Sequence, residues 1–229
     1  MKLYQLSLIM SLKKILFVTF TFLFIQQSFS QRNFDHYNRM GITGGYSLYD
    51  INTSDLNTKQ GDGFIAGFTT RGAFRNKFDL IYGLSFYSHK VEIFGRDAEN
   101  SFETQFIDYK IQGVQINFLG SYNIINHHLS IDFGPILNVS GKLKIEHEQF
   151  EEYILDGYTT LKAIDIEEIS PVNLHLMGGI SGGMETFKVG VQYQYGVFNM
   201  LEKLNDKNLE NTNFEGNSST IIFSLYVYF

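Results

Sequence analysis

His89, His147 and His175, with Glu146 next to His147, are the side chains of this sequence best suited to proton transfer, provided that folding brings them together. General acid–base work needs such groups within about 3 Å of their partners, which spacing on separate strands does not supply. His89 and His175 fall in phase with polar neighbours, so a hydrogen bond within a polar face is their expected state. No nucleophile–base signature accompanies them, and no catalytic residue is assigned. A second cluster is purely acidic: Glu146, Glu148, Glu151, Glu152, Asp156, Asp165, Glu167 and Glu168 crowd one stretch. Calcium takes six to eight oxygen ligands, but the D-x-[DN]-x-[DN]-G spacing is missing. A solvated loop, or a protruding strand pair over 149–164, is expected instead, because Tyr158-Thr159-Thr160-Leu161 is β-prone. His127-His128 reads as a polar turn rather than a metal pair. Gly41 to Gly45 and Gly178 to Gly183 lack the following helix and the Lys-Ser/Thr ending of a phosphate loop. No cofactor-binding or metal-ligating residue is assigned.

Composition removes further classes. With no Cys, a disulfide scaffold, a thiolate zinc site, a cysteine nucleophile and a lipid-modified N-terminal Cys are excluded. A formal charge of −6 argues against a nucleic-acid partner.

The elements that must position these residues are strands. From residue 40 onward the chain alternates apolar and polar residues with period two. Eight such segments are legible: 40–49, 63–74, 78–93, one ending near Asn123, 129–145, 172–181, 187–197 and 221–229. The fifth is the most regular, with Leu129, Ile131, Phe133, Leu137, Val139, Leu143 and Ile145 on one face. The linkers alternate in length: 50–62, 94–104, 146–169 and 199–218 are long, whereas 75–77, 124–128 and 183–186 are short. Membrane barrels sort their loops in this way, with short periplasmic turns and long external loops. With only 2 Pro, the composition also suits uninterrupted strand ladders.

Residues 1–30 have the order of a secretory signal peptide. Lys13-Lys14 precede an apolar run from Ile15 to Ile25, and Ser28-Phe29-Ser30 forms a cleavage site before Gln31. The run falls short of the ~20 residues of a spanning helix. Met10 is an alternative start. Residues 31–229 are expected to form the one mature domain.

The polar face separates a membrane barrel from a soluble one. It is mostly Gly, Ser, Thr, Asn and Gln with a few charges of both signs, Arg71, Asp79, Asp132, Lys142 and Lys188. A soluble exterior would carry many Lys and Glu, whereas this set suits the crowded lumen of an eight-stranded barrel. The Phe, Tyr, Leu, Val and Ile face should then contact lipid. Tyr46, Tyr82, Tyr122 and Tyr195 would serve as an interfacial aromatic girdle. The fold class expected is all-β: an eight-stranded antiparallel up-and-down transmembrane β-barrel, its lumen plugged by Arg71, Lys142 and Lys188 opposite Asp79 and Asp132.

Four segments resemble the outer-membrane β-barrel domain family common in Bacteroidota, including its PorT-like group. They are Val114-Gln115-Ile116-Asn117-Phe118-Leu119, Phe133-Gly134-Pro135-Ile136-Leu137, Val191-Gln192-Tyr193-Gln194-Tyr195-Gly196-Val197 and the terminal Phe223-Ser224-Leu225-Tyr226-Val227-Tyr228-Phe229. The similarity spans about 40–229 and departs from the family at Asn117, where Pro is expected. It implies a cell outer membrane location and, for PorT-like members, association with secretion and gliding machinery. Phe229, with Val227 and Leu225 on its face, looks like the signal read by the outer-membrane assembly machinery.

The functional expectation is a non-enzymatic barrel in outer-membrane lipid that anchors acidic loops at the surface or docks an envelope or secretion-system partner. The third long loop would carry recognition, so that deleting 148–166 spares insertion. The alternatives are a PorT-like secretion component, a rim-active enzyme and a soluble lipocalin-like ligand-binding barrel.

Overall fold

A computed structural model of the protein describes residues 37–98 and 103–229. The signal peptide expected at residues 1–30 lies outside the described residues. The chain runs as β1 (Asn38–Asn52), β2 (Thr58–Arg75), β3 (Phe78–Arg96), β4 (Thr104–Ile125), β5 (Leu129–Ser140), two-residue strands β6 (Lys144–Ile145) and β7 (Ile154–Leu155), then β8 (Val172–Gly183), β9 (Phe187–Gly196) and β10 (Asn217–Tyr228). The eight long strands pair antiparallel in chain order. The ring closes where β1 meets β10, from Gly41↔Tyr228 to Asn52↔Asn217. Over the length that all eight strands share, closure leaves no open edge, which is the condition for strands in hydrocarbon.

Two-residue and three-residue turns join the strands at the end where β1 starts and β10 stops. Asn76 (φ 51°) and His127 (φ 63°) take the left-handed conformation these turns require, which Asn tolerates well. Pro135 has no N–H for a ladder, and the β4–β5 pairing is broken beside it, between Asn117↔Ile136 and Gly120↔Phe133.

Side-chain direction follows the alternation. Phe133, Val191 and Leu225 are 48, 50 and 41% exposed on the outer wall, with Phe68, Leu84, Phe118 and Ile180 beside them. Tyr46, Tyr82, Tyr122 and Tyr195 also face outward. Ser47, Thr69, Gln115, Ser121, Asn138, Ser181 and Gln194 are buried inside. The lumen is crowded enough that a Cβ at Gly113 would lie 2.5 Å from the Tyr87 hydroxyl. A soluble lipocalin-like barrel would show the reverse arrangement.

Strand lengths divide the ring into two halves. β5, β8, β9 and β10 have 10 to 12 residues, close to the ~9–11 that cross a bilayer. β3 has 19 and β4 has 22, so at ~3.3 Å per residue β4 spans roughly 70 Å along its path. β1 to β4 therefore rise beyond the membrane as a curved wall. The linker expected at 50–62 is mostly strand, because β1 and β2 continue to a five-residue loop, 53–57, and strand also enters both ends of the one expected at 94–104, with β3 reaching Arg96 and β4 starting at Thr104.

Above the membrane the alternation inverts. In β3, Phe86, Leu84 and Tyr82 point out and Ser85 points in; four residues later Val91 and Ile93 point in while Lys90 and Glu92 point out. β4 does the same, with Ile107, Tyr109 and Ile111 fully or almost fully buried and Asp108 and Lys110 outside. An apolar outer wall suits lipid, and an apolar inner wall suits a water-excluded core, so the inversion marks where the strands leave the bilayer.

Candidate functional site

The concave apolar wall of β1–β4 has no opposing strands at its height, and two long loops fill it. Residues 141–171 contribute Leu143, Tyr153, Leu155, Leu161, Ala163, Ile166 and Ile169; residues 197–216 contribute Met200, Leu201, Leu204 and Phe214. These pack on Tyr49, Ile51, Leu56, Val91, Ile93, Ile107, Tyr109 and Ile111 as one core. Full burial of a Leu or Ile side chain contributes ~1.5–3 kcal/mol, so the loops form a folded cap. Single 3-10 turns at Glu148–Phe150, Ala163–Ile166 and Glu202–Asp206 supply its local structure.

This corrects the expectation of a protruding strand pair at 149–164. Among the described residues, the strand pairing of the loop 141–171 is limited to β6 with β4 (Lys110↔Lys144, Tyr109↔Ile145), β7 with β3 (Gly95↔Leu155, Arg96↔Ile154) and an isolated Ile154↔Lys162 bridge. The β-prone segment 158–161 is instead wrapped around a carboxylate. Glu210 accepts the backbone N–H groups of Thr159, Thr160 and Leu161 and both threonine hydroxyls, at 2.6–3.2 Å. The Thr160 backbone N–H contributes most to holding the Glu210 carboxyl down at about 2. Tyr158 ties the two loops to the β1–β2 loop, donating its hydroxyl to the Asp55 carbonyl at 2.9 Å. Burial pushes that phenol's pKa up.

The acids of the third loop are partly answered by local cations. Glu168 pairs with Lys142 at 3.0 Å and with Lys207 at 3.4 Å, Glu152 pairs with Lys162, and Glu146 with Lys90 at 2.6 Å. The hydrogen bond from Lys142 is the first cause of the lowered Glu168 pKa. Lys142 is therefore not part of the lumen plug. β5 ends at Ser140, and the irregular segment 141–143 turns Lys142 out to solvent while Leu143 enters the cap core.

The other four expected plug residues do meet, near the short-turn end. Arg71 is the hub: Nε donates to Asp79 at 2.8 Å, and Nη2 donates to Ser121 (2.6 Å), Ser130 (2.7 Å) and Asn123 (3.2 Å). Asp132 lies 3.9 Å from its Nη1. Asn123 donates to Asp79 at 2.9 Å, and Lys188 Nζ donates to the His127 carbonyl at 2.7 Å. Ser121, Asn123 and Ser130 were not legible as partners, because their types are common all over the lumen.

Between plug and cap lie two small cavities of about 30 and about 20 Å³, with Gln115 lining both. Each is of the size that holds one or two waters. His89 and His175 line the upper one. His89 Nδ1 is 2.8 Å from the Ser47 hydroxyl, and His175 Nε2 is 3.0 Å from that of Ser218. His89 also stacks between Tyr49 and Tyr87, with ring centroids 5.1 and 4.7 Å away. Each histidine thus holds one lumen hydroxyl, while the buried His175 Nδ1 has no hydrogen-bond partner among the described residues. No carboxylate lines their cavity, and the cap core roofs it. His147 stands apart on the cap, its ring edge-on to Phe150. At the other end, His128 Nδ1 lies 2.8 Å from the Gly183 carbonyl and His127 faces Glu185 at 3.9 Å. Among the described residues no three His, Cys, Asp or Glu side chains converge as metal ligands.

No family model and no curated protein matches this sequence. Solved structures do. Neisserial surface protein A, from Neisseria, superposes with a TM-score of 0.50 at 10% identity, over 83% of this chain and 97% of that one. Ail, the attachment invasion locus protein of Yersinia pestis, gives 0.44 at 15% over 84% and 99%. The outer membrane protein OprG from Pseudomonas aeruginosa gives 0.43 at 11% over 85% and 97%. The fold is that of an eight-stranded outer-membrane β-barrel, and the apolar outer wall is built for the cell outer membrane.

Proposed function

We propose that the protein is a non-enzymatic outer-membrane scaffold whose plugged barrel holds a folded cap at the cell surface as a docking surface for an envelope partner. The observation that supports it is the cap's own apolar core, made of Leu155, Leu161, Ile166, Leu201, Leu204 and Phe214 against the raised wall. A loop already ordered in the free protein loses less conformational entropy when it binds. Its exposed side chains include Glu148, Glu152, Asp156, Glu202 and Asp206, which suits a partner with a basic face. A PorT-like secretion or gliding role is a narrower form of this proposal and would use the same surface. Recognition of Phe229 by the assembly machinery belongs to the proposal too; that side chain is 77% exposed beyond β10, on the lipid-facing row of Leu225 and Val227.

Deleting 148–166 is the wrong test, because it would empty the cap core. Photo-crosslinking residues placed singly at Glu148, Asp156 and Glu202 in cells leave the core intact. A discrete protein adduct at these positions, absent when the crosslinker replaces Phe133 or Val191 on the lipid wall, is expected. Adducts that do not differ between cap and wall would contradict the proposal.

A further inference from the structure

Three lysines stand side by side on the outer wall. Lys90 of β3 is directly opposite Lys110 of β4, and Lys110 is directly opposite Lys144 of β6. Their chain neighbours Val91, Tyr109, Ile111 and Leu143 are buried inside, so the three lysine side chains point out. Like charges directly opposite on adjacent strands destabilise a sheet. Lys90 is answered by Glu146 at 2.6 Å. Among the described residues, no carboxylate lies within 4.0 Å of Lys110 or Lys144.

The height of this row is fixed by the lipid-facing surface below it. Below the row, the last exposed apolar residues on the same strands are Phe86, Val114 and Val139, in register with one another; Phe106, exposed farther up β4, lies beyond the row under the Lys59 ammonium at 5.2 Å. Phe86 to Lys90 is four residues, ~13 Å along the strand at ~3.3 Å each. With a strand tilt of ~35–45° that is ~10 Å along the membrane normal. Lysine stems lie along apolar surface while their charged ends reach polar groups, so the row serves the outer headgroup layer. One step further from the membrane the same strands carry an acidic row: Glu92 is opposite Asp108, and the Glu146 backbone bonds to that of Asp108 at 2.9 Å. An anion approaching from solvent meets carboxylates first; one already in the membrane meets the lysines first.

The geometry points to a binding site for the phosphate of an outer-leaflet lipid headgroup at Lys110 and Lys144, flanked by Lys90. The site rests on the membrane placement of the barrel but not on the cap's role in docking.

The test uses the full-length mature protein folded into phosphatidylcholine vesicles, with bisphosphorylated lipid A or its dephosphorylated form as probe. Retained lipid is counted by native mass spectrometry after transfer to mild detergent. Folding is read separately as heat-modifiable gel migration, so a failure of membrane insertion is seen apart from a failure of this site. The wild type should retain the phosphorylated lipid and not the dephosphorylated one. Lys110→Gln/Lys144→Gln should weaken retention about 30-fold, about fivefold per lysine at ~1 kcal/mol each. Lys203→Gln, on the cap, should change nothing. Equal retention by the double variant, or of the dephosphorylated lipid by the wild type, would overturn the site. Displacement by inorganic phosphate would overturn its assignment to a lipid. If the double variant does not fold, the comparison of the two lipids on the wild type still decides.

Discussion

Replacing Arg71 by Met probes the lumen plug at its hub. The methionine keeps much of the side-chain volume but removes the cation that bonds Asp79 at 2.8 Å and faces Asp132 at 3.9 Å. Both aspartates are at most 5% exposed, so neither can recover its hydration without opening the barrel. Lys188 does not substitute, because its Nζ is committed to the His127 carbonyl. Removing one partner of a buried ion pair costs ~3–5 kcal/mol, set against a total stability of ~5–15 kcal/mol. At ~1.4 kcal/mol per tenfold, the folding equilibrium should fall by about two to three and a half orders of magnitude. Urea titration in vesicles, read by the loss of the fast-migrating band on unboiled gels, measures this. Adding Asp79→Asn removes one of the stranded charges and should restore ~1 kcal/mol or more. A loss below ~1 kcal/mol for Arg71→Met, or no recovery in the double variant, would refute the buried-hub account.

Leu161→Ala should cost the cap ~2–5 kcal/mol, seen as proteolysis within 141–171 while the barrel keeps its unboiled migration; equal cleavage of the wild type would show that the cap core contributes little. Glu210→Gln should speed hydrogen exchange at Thr159, Thr160 and Leu161, because a neutral amide is a weaker acceptor than the carboxylate. The same clamp has a pH window. Its folded pKa of about 2 lies below the ordinary 4.5, so its contribution is complete above pH 4.5 and disappears as pH falls toward 2. Protection of these amides, taken relative to their intrinsic exchange rate at each pH, should fall across that interval in the wild type and stay flat in Glu210→Gln.

The barrel was legible because lipid and lumen impose opposite demands on alternate residues of the same strand. Phe133, Val191 and Leu225 against Asn138, Gln194 and Ser224 carry that signal without long-range information. The cap was hidden in the same pattern. Val91, Ile93, Ile107, Tyr109 and Ile111 shift the apolar face by one residue relative to Phe86 and Val114, which marks a strand leaving the membrane, yet each stretch alone still alternates. Loop residues Leu155, Leu161 and Leu204 have no period of their own, and only the concave wall opposite them explains their burial. Lys142 has the parity of a lumen residue, and the break at Gly141 voids that parity. The Ser47–His89 and Ser218–His175 contacts join distant strands, so their partners were set by ring register and not by spacing.

The central claim is the direction of the two faces, and a chain with no Cys makes it directly measurable. Single cysteines at Phe133, Val191 and Leu225, and in a second set at Asn138, Gln194 and Ser224, would each carry a small fluorophore in vesicles containing lipids brominated on their acyl chains. Quenching at the first three positions and not at the second three is the predicted result. Quenching confined to the second three would contradict the account.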